Sequence, residues 1–313
     1  MDTFIQQVLN GLLLGSLYAL IALGYTMVYG ILRIINFAHG DLLMVGALVG
    51  LSVLHGVQAA FPHCPGTVML LVATLVAMIA CALLAMLIER VAYRRLRNAP
   101  RLAPLISGIG VSLLLQTVAM LVWSRNPLMF AQLLPLDPIE VTPGPTGAIT
   151  NGTALTTIAV ALLVMAGLWL LVEHTRLGRA MRAVAENPQV ASLMGINPNR
   201  VIVLTFAIGG ALAALAGIMM SSNYGSANFY MGFLPGIKAF TAAVLGGIGN
   251  LRGAMLGGIL LGLIEALGTG YLGQATGGVL GSNYQDVFAF VVLIAVLVLR
   301  PSGLLGERLA SRA

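Results

Sequence analysis

The sequence has almost no charge. Aspartate, glutamate, lysine and arginine make up 8% of its 313 residues, against about a quarter in soluble domains, and Lys238 is the one lysine. That scarcity excludes a solvated globular surface. Together with 59% hydrophobic residues and a mean hydropathy of +0.98, it makes the chain a polytopic membrane protein. Lys238 follows Ile237 rather than a glycine-rich turn, so there is no P-loop for ATP. Two cysteines, Cys64 in a loop and Cys81 in an apolar run, leave no disulfide framework. His55, His63 and Cys64 are too loosely spaced for a metal site, and no metal or cofactor is expected. No arrangement of serine, histidine and aspartate suggests hydrolysis, so the chain itself is not read as an enzyme. Intramembrane carboxylates, on which ion-driven transporters rely, reduce to Asp41 and Glu265. Asp2 is the only charge before Arg33, so the first apolar run lacks a basic leader and is expected to be a retained span.

What is present is a succession of apolar runs, at residues 4–30, 67–88, 104–123, 153–172, 201–221 and 285–299, with two interrupted ones at 30–51 and 237–268. The expected fold is all-α, one integral domain over 1–313 with about eight crossings at ~20 residues each. Arginines cluster at Arg90, Arg94, Arg95, Arg97 and Arg101, at Arg176, Arg179, Arg182 and Arg200, and at Arg300, Arg308 and Arg312. An outside N-terminus and a cytoplasmic C-terminus put all three clusters on the cytoplasmic side. The net charge of +6 is therefore read as topology and not as affinity for nucleic acid. Residues 124–152 hold five of the thirteen prolines with Asp137 and Glu140, and are expected outside as a stiff loop. Gly209, Gly210, Ala213, Ala214 and Gly217 mark a helix face for close packing.

The two interrupted runs are the candidates for chemistry. In residues 30–51, Arg33, Asn36, His39 and Asp41 stand between apolar segments. They form either a tight turn, with Asp41 favoured by the dipole of the next helix, or a broken membrane helix whose freed polar groups line a watery path. In residues 237–268, Gly246, Gly247, Gly249, Asn250, Arg252 and Gly253 predict a short or re-entrant half-helix. Paired interruptions of this kind point to a central pathway. Asn36, His39, Gln116 and Glu265 are the candidate lining residues, Glu265 alternatively being paired with a neighbouring helix.

Residues 173–200 are the polar, basic exception. Asn187 can N-cap a helix beginning at Pro188, and Gly195 can end it as the C′ residue. The product is a separate rod of roughly 11 Å carrying Val190, Ala191, Leu193 and Met194. It is either a solvated loop or a plug for a groove on another protein. A chain with neither an ATP site nor a carboxylate relay must draw energy through a partner, which favours the plug.

GILRIINFAHGDLLMVGA at 30–47, RAMRAVAENPQVASLMGIN at 179–197 and FTAAVLGGIGNLRGAMLGG at 240–258 resemble permeases of the high-affinity branched-chain amino acid ABC importers, and the chain looks like the shorter, H-type member of the permease pair. The resemblance implies an inner-membrane importer containing a longer M-type permease, two cytoplasmic ATP-binding subunits and a periplasmic amino-acid-binding protein that delivers Leu, Ile or Val. Urea, short amides and other amino acids are also carried within the family. It further implies that Glu186, Asn187, Ala191, Gly195 and Ile196, with Arg179 and Arg182 beside them, form the loop that docks into the ATPase. The spacing departs from maltose-type permeases, where a longer interval separates the glycine from a following Leu-Pro. A self-sufficient ion-coupled carrier or passive channel is the competing reading.

Overall fold

A segment inside a bilayer must satisfy its own backbone, and the helix does so without neighbours. The computed structural model describes residues 2–97, 99–100, 102–134, 138–142, 147–277, 284–300 and 302–306. Arg101, Asp137, Arg308 and Arg312 lie outside the described residues. The chain is all-helical: α1 (Asp2–Leu32), α2 (His39–Ala60), α3 (Gly66–Ile88), α4 (Leu102–Val122), α5 (Gly152–His174), α6 (Arg176–Glu186), α7 (Pro188–Leu193), α8 (Pro198–Tyr224), α9 (Phe233–Gly246), α10 (Leu251–Ala275) and α11 (Gln285–Leu299). The described strands are two-residue antiparallel pairs, Leu128–Met129 with Ser226–Ala227 and Ile139–Glu140 with Ile149–Thr150.

Seven of the described helices, α1 to α5, α8 and α10, are long and apolar enough to cross a membrane, and α9 and α11 are shorter. Residues 237–268 divide as their glycines suggest. Gly247 and Gly249 take φ of 107° and 98°, a region open to glycine and costly to other residues, so α9 stops and α10 starts anew. The segment between the apolar runs 30–51 and 67–88 is mostly helical, α2 continuing to Ala60, because nothing breaks the helix before Pro62. Proline disfavours helical backbone in the residue before it, and Phe61 duly leaves the helix at φ −134° and ψ 76°. His55 is therefore helical.

The chain forms two compact units, one of residues 1–26, 136–165 and 238–313, the other of 27–135 and 166–237. In the second unit α2, α3 and α8 pack against one another, and small residues set their separation. The α-carbon of Gly46 faces Ala214, that of Gly217 faces the Leu43 carbonyl, and that of Gly210 faces the Cys81 carbonyl, each without room for a β-carbon. The Cys81 thiol donates to the Leu42 carbonyl at 3.4 Å. In the first unit Gly11 and Gly15 on α1 meet α10 at Leu263 and Ile259 in the same way. Hydrophobicity drives no association among lipid tails, so this close backbone approach is what joins the helices. The opposite face of α3 shows Leu71, Leu75, Ile79, Leu83 and Leu87 outward at a helical repeat, as a lipid-facing surface should.

Gly217→Ala is expected to force α2 from α8 at an overpacking cost of about 1–3 kcal/mol, lowering the unfolding temperature of the detergent-solubilised protein. Gly56→Ala is the control, since nothing lies within 4 Å of the added carbon; it should leave the midpoint unchanged or raise it.

Candidate functional site

The polar loop after α5 folds into two helices, where the sequence suggests one rod. Thr175 N-caps α6, its hydroxyl accepting from the Gly178 N–H at 3.2 Å. Gly178 presses against the Val172 carbonyl with no room for a side chain. Gly178, Met181 and Val184 are buried at the i, i+3 spacing of one helical face, and Arg179, Arg182 and Glu186 are exposed. Arg182 reaches back to the Val172 and Glu173 carbonyls and to the Glu173 carboxylate at 3.6 Å. A cation there satisfies the last carbonyls of α5 and the negative end of its dipole.

The second helix, α7, is closed at both ends. Asn187 Oδ1 accepts from the Gln189 and Val190 N–H groups at 3.0 and 3.1 Å, with Pro188 at the first helical position. At the other end Gly195 has φ 82°. Its N–H donates to the Ser192 carbonyl at 3.1 Å and that of Ile196 to the Ala191 carbonyl at 3.0 Å, a complete Schellman motif. Six residues give a rod of about 9 Å. Ala191 is buried and roots it, Ile196 is half-buried, and Leu193 and Met194 are 87% and 78% exposed beside the exposed Val190. Three large apolar side chains thus project from an otherwise polar loop.

The break between α1 and α2 is the second polar site. Arg33 takes φ 52°, the one positive value among the described non-glycine residues, and directs the chain out of α1. Asn36, 3% exposed, accepts on Oδ1 from the Ala38 N–H at 3.1 Å and from the Tyr93 hydroxyl at 2.9 Å. His39 is buried as the first residue of α2. Asp41, also buried, lies in the first turn of α2 and accepts from Gln116 Nε2 at 3.0 Å; the same nitrogen reaches Ser112 Oγ at 3.3 Å. The suggested lining residues thus divide, Asn36 pairing with Tyr93 beyond the end of α3 and Gln116 with the start of α2.

Tyr93 closes a π-helical turn, Glu89–Tyr93, that continues α3 and passes into a 3₁₀ turn, Arg94–Leu96. Its buried ring lies 5.7 Å from that of Phe206 on α8. Glu89 has no exposed surface and is ion-paired with Arg97, with Arg94 Nε at 3.6 Å. Arg97 Nη1 also donates to Asn199 Oδ1 at 2.7 Å. The basic loop, read from sequence as an orientation signal, thus also neutralises a buried carboxylate.

Glu265 belongs to the first unit and sits in a charge cluster. Its carboxylate is ion-paired with Lys238 on α9, whose Nζ lies 2.6 Å from Asp286 Oδ1 on α11 and 5.7 Å above the Tyr18 ring. Glu265 has no exposed surface and Lys238 only 7%. The neighbouring-helix partner considered for Glu265 is therefore Lys238. Sequence reading passed over Lys238 and Asp286, although a lone lysine in an apolar run requires a carboxylate near it. Among the described residues no group of three or more histidines, cysteines and carboxylates is placed to hold a metal ion.

The family of branched-chain amino acid transport system permease components matches residues 7–297. The high-affinity branched-chain amino acid transport system permease protein BraD of Pseudomonas aeruginosa is 46% identical over 305 residues, 97% of this chain and 96% of that protein. The corresponding permease protein LivH of Escherichia coli (strain K12) is 45% identical, over 97% of this chain and 96% of its own length. The probable branched-chain amino acid transport permease protein LivH of Methanocaldococcus jannaschii is 30% identical, over 96% and 92%.

Lys238→Met leaves Glu265 buried without its cation, which should cost about 3–5 kcal/mol and appear as a lower unfolding midpoint and a reduced yield in membranes. Lys238→Met with Glu265→Gln is expected to recover part of the loss. Asp286→Asn, at a side chain 44% exposed, should cost about 1 kcal/mol or less.

Proposed function

The chain belongs to the family of branched-chain amino acid transport system permease components, and from that premise we propose that cytoplasmic ATPases drive it through the capped rod α7. It is a multi-pass permease component of a high-affinity branched-chain amino acid ABC transport system of the bacterial inner membrane. It carries no ATPase site, and its transport system brings ATPase and further partners. The proposed assembly is a heterodimer with a longer M-type permease, two ATP-binding subunits beneath it and a periplasmic binding protein above that delivers Leu, Ile or Val. Lipid surrounds the rest, and nucleic acid has no part.

The whole chain, 1–313, is taken to work as one permease domain with its N-terminus outside and its C-terminus in the cytoplasm. Termini on opposite faces require an odd number of crossings, so the expected eight does not fit them; the proposed count is nine, the seven long helices together with the shorter α9 and α11. In that arrangement Arg125 is the one arginine left outside, and the junction bearing Arg252 joins the other basic loops in the cytoplasm.

The observation that carries the proposal is α7 itself, a helix capped at both ends that offers Val190, Leu193 and Met194 without cover. An apolar helix face laid into a groove is a recurrent docking mode. Ala191 and Ile196 root the rod, Asn187 and Gly195 set its ends, and Arg179 and Glu186 are exposed beside it for polar contacts at the rim. Arg182 fastens α6 to the end of α5, while Asn197 caps α8 by accepting from the Arg200 N–H at 3.3 Å. Movement of the rod with the closing ATPases would therefore pull on both α5 and α8. The transported energy enters as differential contact of the ATPases with two permease conformations. Asn36, His39 and Gln116, buried in this conformation, are proposed to build the wall of a path between the two permeases. Glu265 is assigned to the Lys238 clasp, and Asp41 to Gln116, so neither is offered to a coupling ion.

Leu193→Asp places a charge on the docking face. A central contact residue is worth about 2 kcal/mol, so copurification of the ATP-binding subunits and uptake of labelled leucine should each fall by more than tenfold while the permease still inserts. Gly195→Val, at φ 82°, should reduce uptake in the same direction. Wild-type uptake by both variants would contradict the proposal.

A further inference from the structure

Between α7 and the α1–α2 break runs a series of polar side-chain contacts joined by short stretches of backbone, all of it within the second unit. Asn199 stands four residues after Gly195 and two after the α8 cap. Its side-chain oxygen accepts from Arg97. Arg97 in turn holds Glu89, the first residue of the π-helical turn, and Tyr93, the last residue of that turn, donates to Asn36. Asn36 uses the same oxygen to hold the Ala38 N–H just before α2. Gly108 on α4 faces the Tyr93 hydroxyl with no room for a β-carbon, and Phe206 on α8 lies against the ring. Asn199 and Phe206 are seven residues apart, two turns along one face of α8. A displacement of α8 at its α7 end therefore meets the segment 89–97 at Arg97 and at its middle residue, Tyr93.

The backbone of that segment is suited to two arrangements. Over eight residues it passes from π to 3₁₀ winding, and such departures inside α-helices occur often at functional sites and hinges. A connection of this sort transmits only if it contains an element with discrete states that both ends bias. The ion pair to Glu89 and the hydroxyl bond to Asn36 are the two holds. The hydroxyl bond is buried and the ion pair is part-buried, Glu89 itself having no exposed surface, so water is a poor substitute partner for either Asn36 or Glu89.

We infer that the π-helical turn Glu89–Tyr93 is the relay by which movement of the docking rod reaches the α1–α2 break, with Arg97 and Tyr93 as the positioning residues at its ends. The inference rests on α7 being the docking rod. Tyr93 moves no substrate; it sets where Asn36, and with it the start of α2, stands as α8 shifts.

The test uses the complete transporter reconstituted in vesicles, measuring leucine uptake and ATP hydrolysis together. Tyr93→Phe keeps the ring on Phe206 and removes only the bond to Asn36. Uptake per ATP hydrolysed should fall about fivefold or more, the low end of an ordinary coupling between sites, with the ATP-binding subunits still bound. Asn199→Ala, at an exposed position, should lower the same ratio, and the double variant should be no worse than the stronger single, as for two links of one connection. A wild-type ratio in Tyr93→Phe overturns the inference, and so does a proportional fall of uptake and hydrolysis, which is what a merely structural tyrosine would produce. Should Tyr93→Phe fail to assemble, the ratio in Asn199→Ala decides alone, a fall supporting the relay and a wild-type value overturning it. The two proposals fail differently: without docking at α7, Leu193→Asp retains its ATP-binding subunits, whereas a failed relay leaves that variant stripped of them and Tyr93→Phe fully coupled.

Discussion

Every carboxylate buried in this apolar chain has to be answered by a cation or a donor from the same chain, and the structure is arranged around those answers. Glu89 is met by Arg94 and Arg97, Glu265 by Lys238, and Asp41 by Gln116. In a low-dielectric surrounding an unanswered charge costs several kcal/mol, so the Asp41–Gln116 and Glu265–Lys238 pairs set which helices lie side by side, and the Glu89 pair sets the winding of the segment after α3. Two of them fall where a helix begins or changes winding, Glu89 at the start of the π turn and Asp41 in the first turn of α2, while Lys238 and Glu265 meet between the interiors of α9 and α10. Apolar helices pack wherever small residues allow, but these pairs select one arrangement among the many that glycine and alanine faces would tolerate.

The second recurring device is asparagine at a break. Asn36 holds the start of α2, Asn187 caps α7, Asn197 caps α8, and Asn250 accepts from the Gly253 N–H at 3.2 Å while donating to the Leu305 carbonyl at 2.8 Å. A helix interrupted within or beside a membrane leaves backbone N–H groups without partners. A short amide side chain supplies an acceptor and still has a donor to spend on a neighbouring segment. The breaks are therefore built features of the fold, and functional movement is most economically placed at them.

How much of this was legible in the sequence follows the range of the interaction. The ends of α7 were readable because Asn187, Pro188 and Gly195 act on backbone within three residues of themselves, and the interruption of α9 was readable from Gly246, Gly247 and Gly249 for the same reason. The membrane class and the helices follow from the scarcity of charge. The partner of Glu265 lies 27 residues away and that of Asp41 75 residues away, and spacing in the sequence says nothing at that distance. The π turn at Glu89–Tyr93 has no local signature: its residues read as the end of a helix approaching a basic loop, and only the packing of Tyr93 against Phe206 and Asn36 gives it a purpose. Helix α6 is not legible as a separate element, because Thr175 follows the apolar run of α5 directly and its cap shows only in the bond from the Gly178 N–H.

The chain is a membrane body without an ATPase site of its own, and its exposed apolar rod α7 stands between the helices α6 and α8. The account depends on that rod facing the cytosol and being covered by the ATP-binding subunits. The most direct measurement is labelling of Leu193→Cys, in a chain with Cys64→Ser and Cys81→Ala, by a membrane-impermeant maleimide. The thiol should react in inverted vesicles stripped of ATP-binding subunits, be protected when the subunits are added back, and stay unlabelled in intact spheroplasts. Labelling from outside in spheroplasts, or reaction undiminished by the subunits, would contradict it.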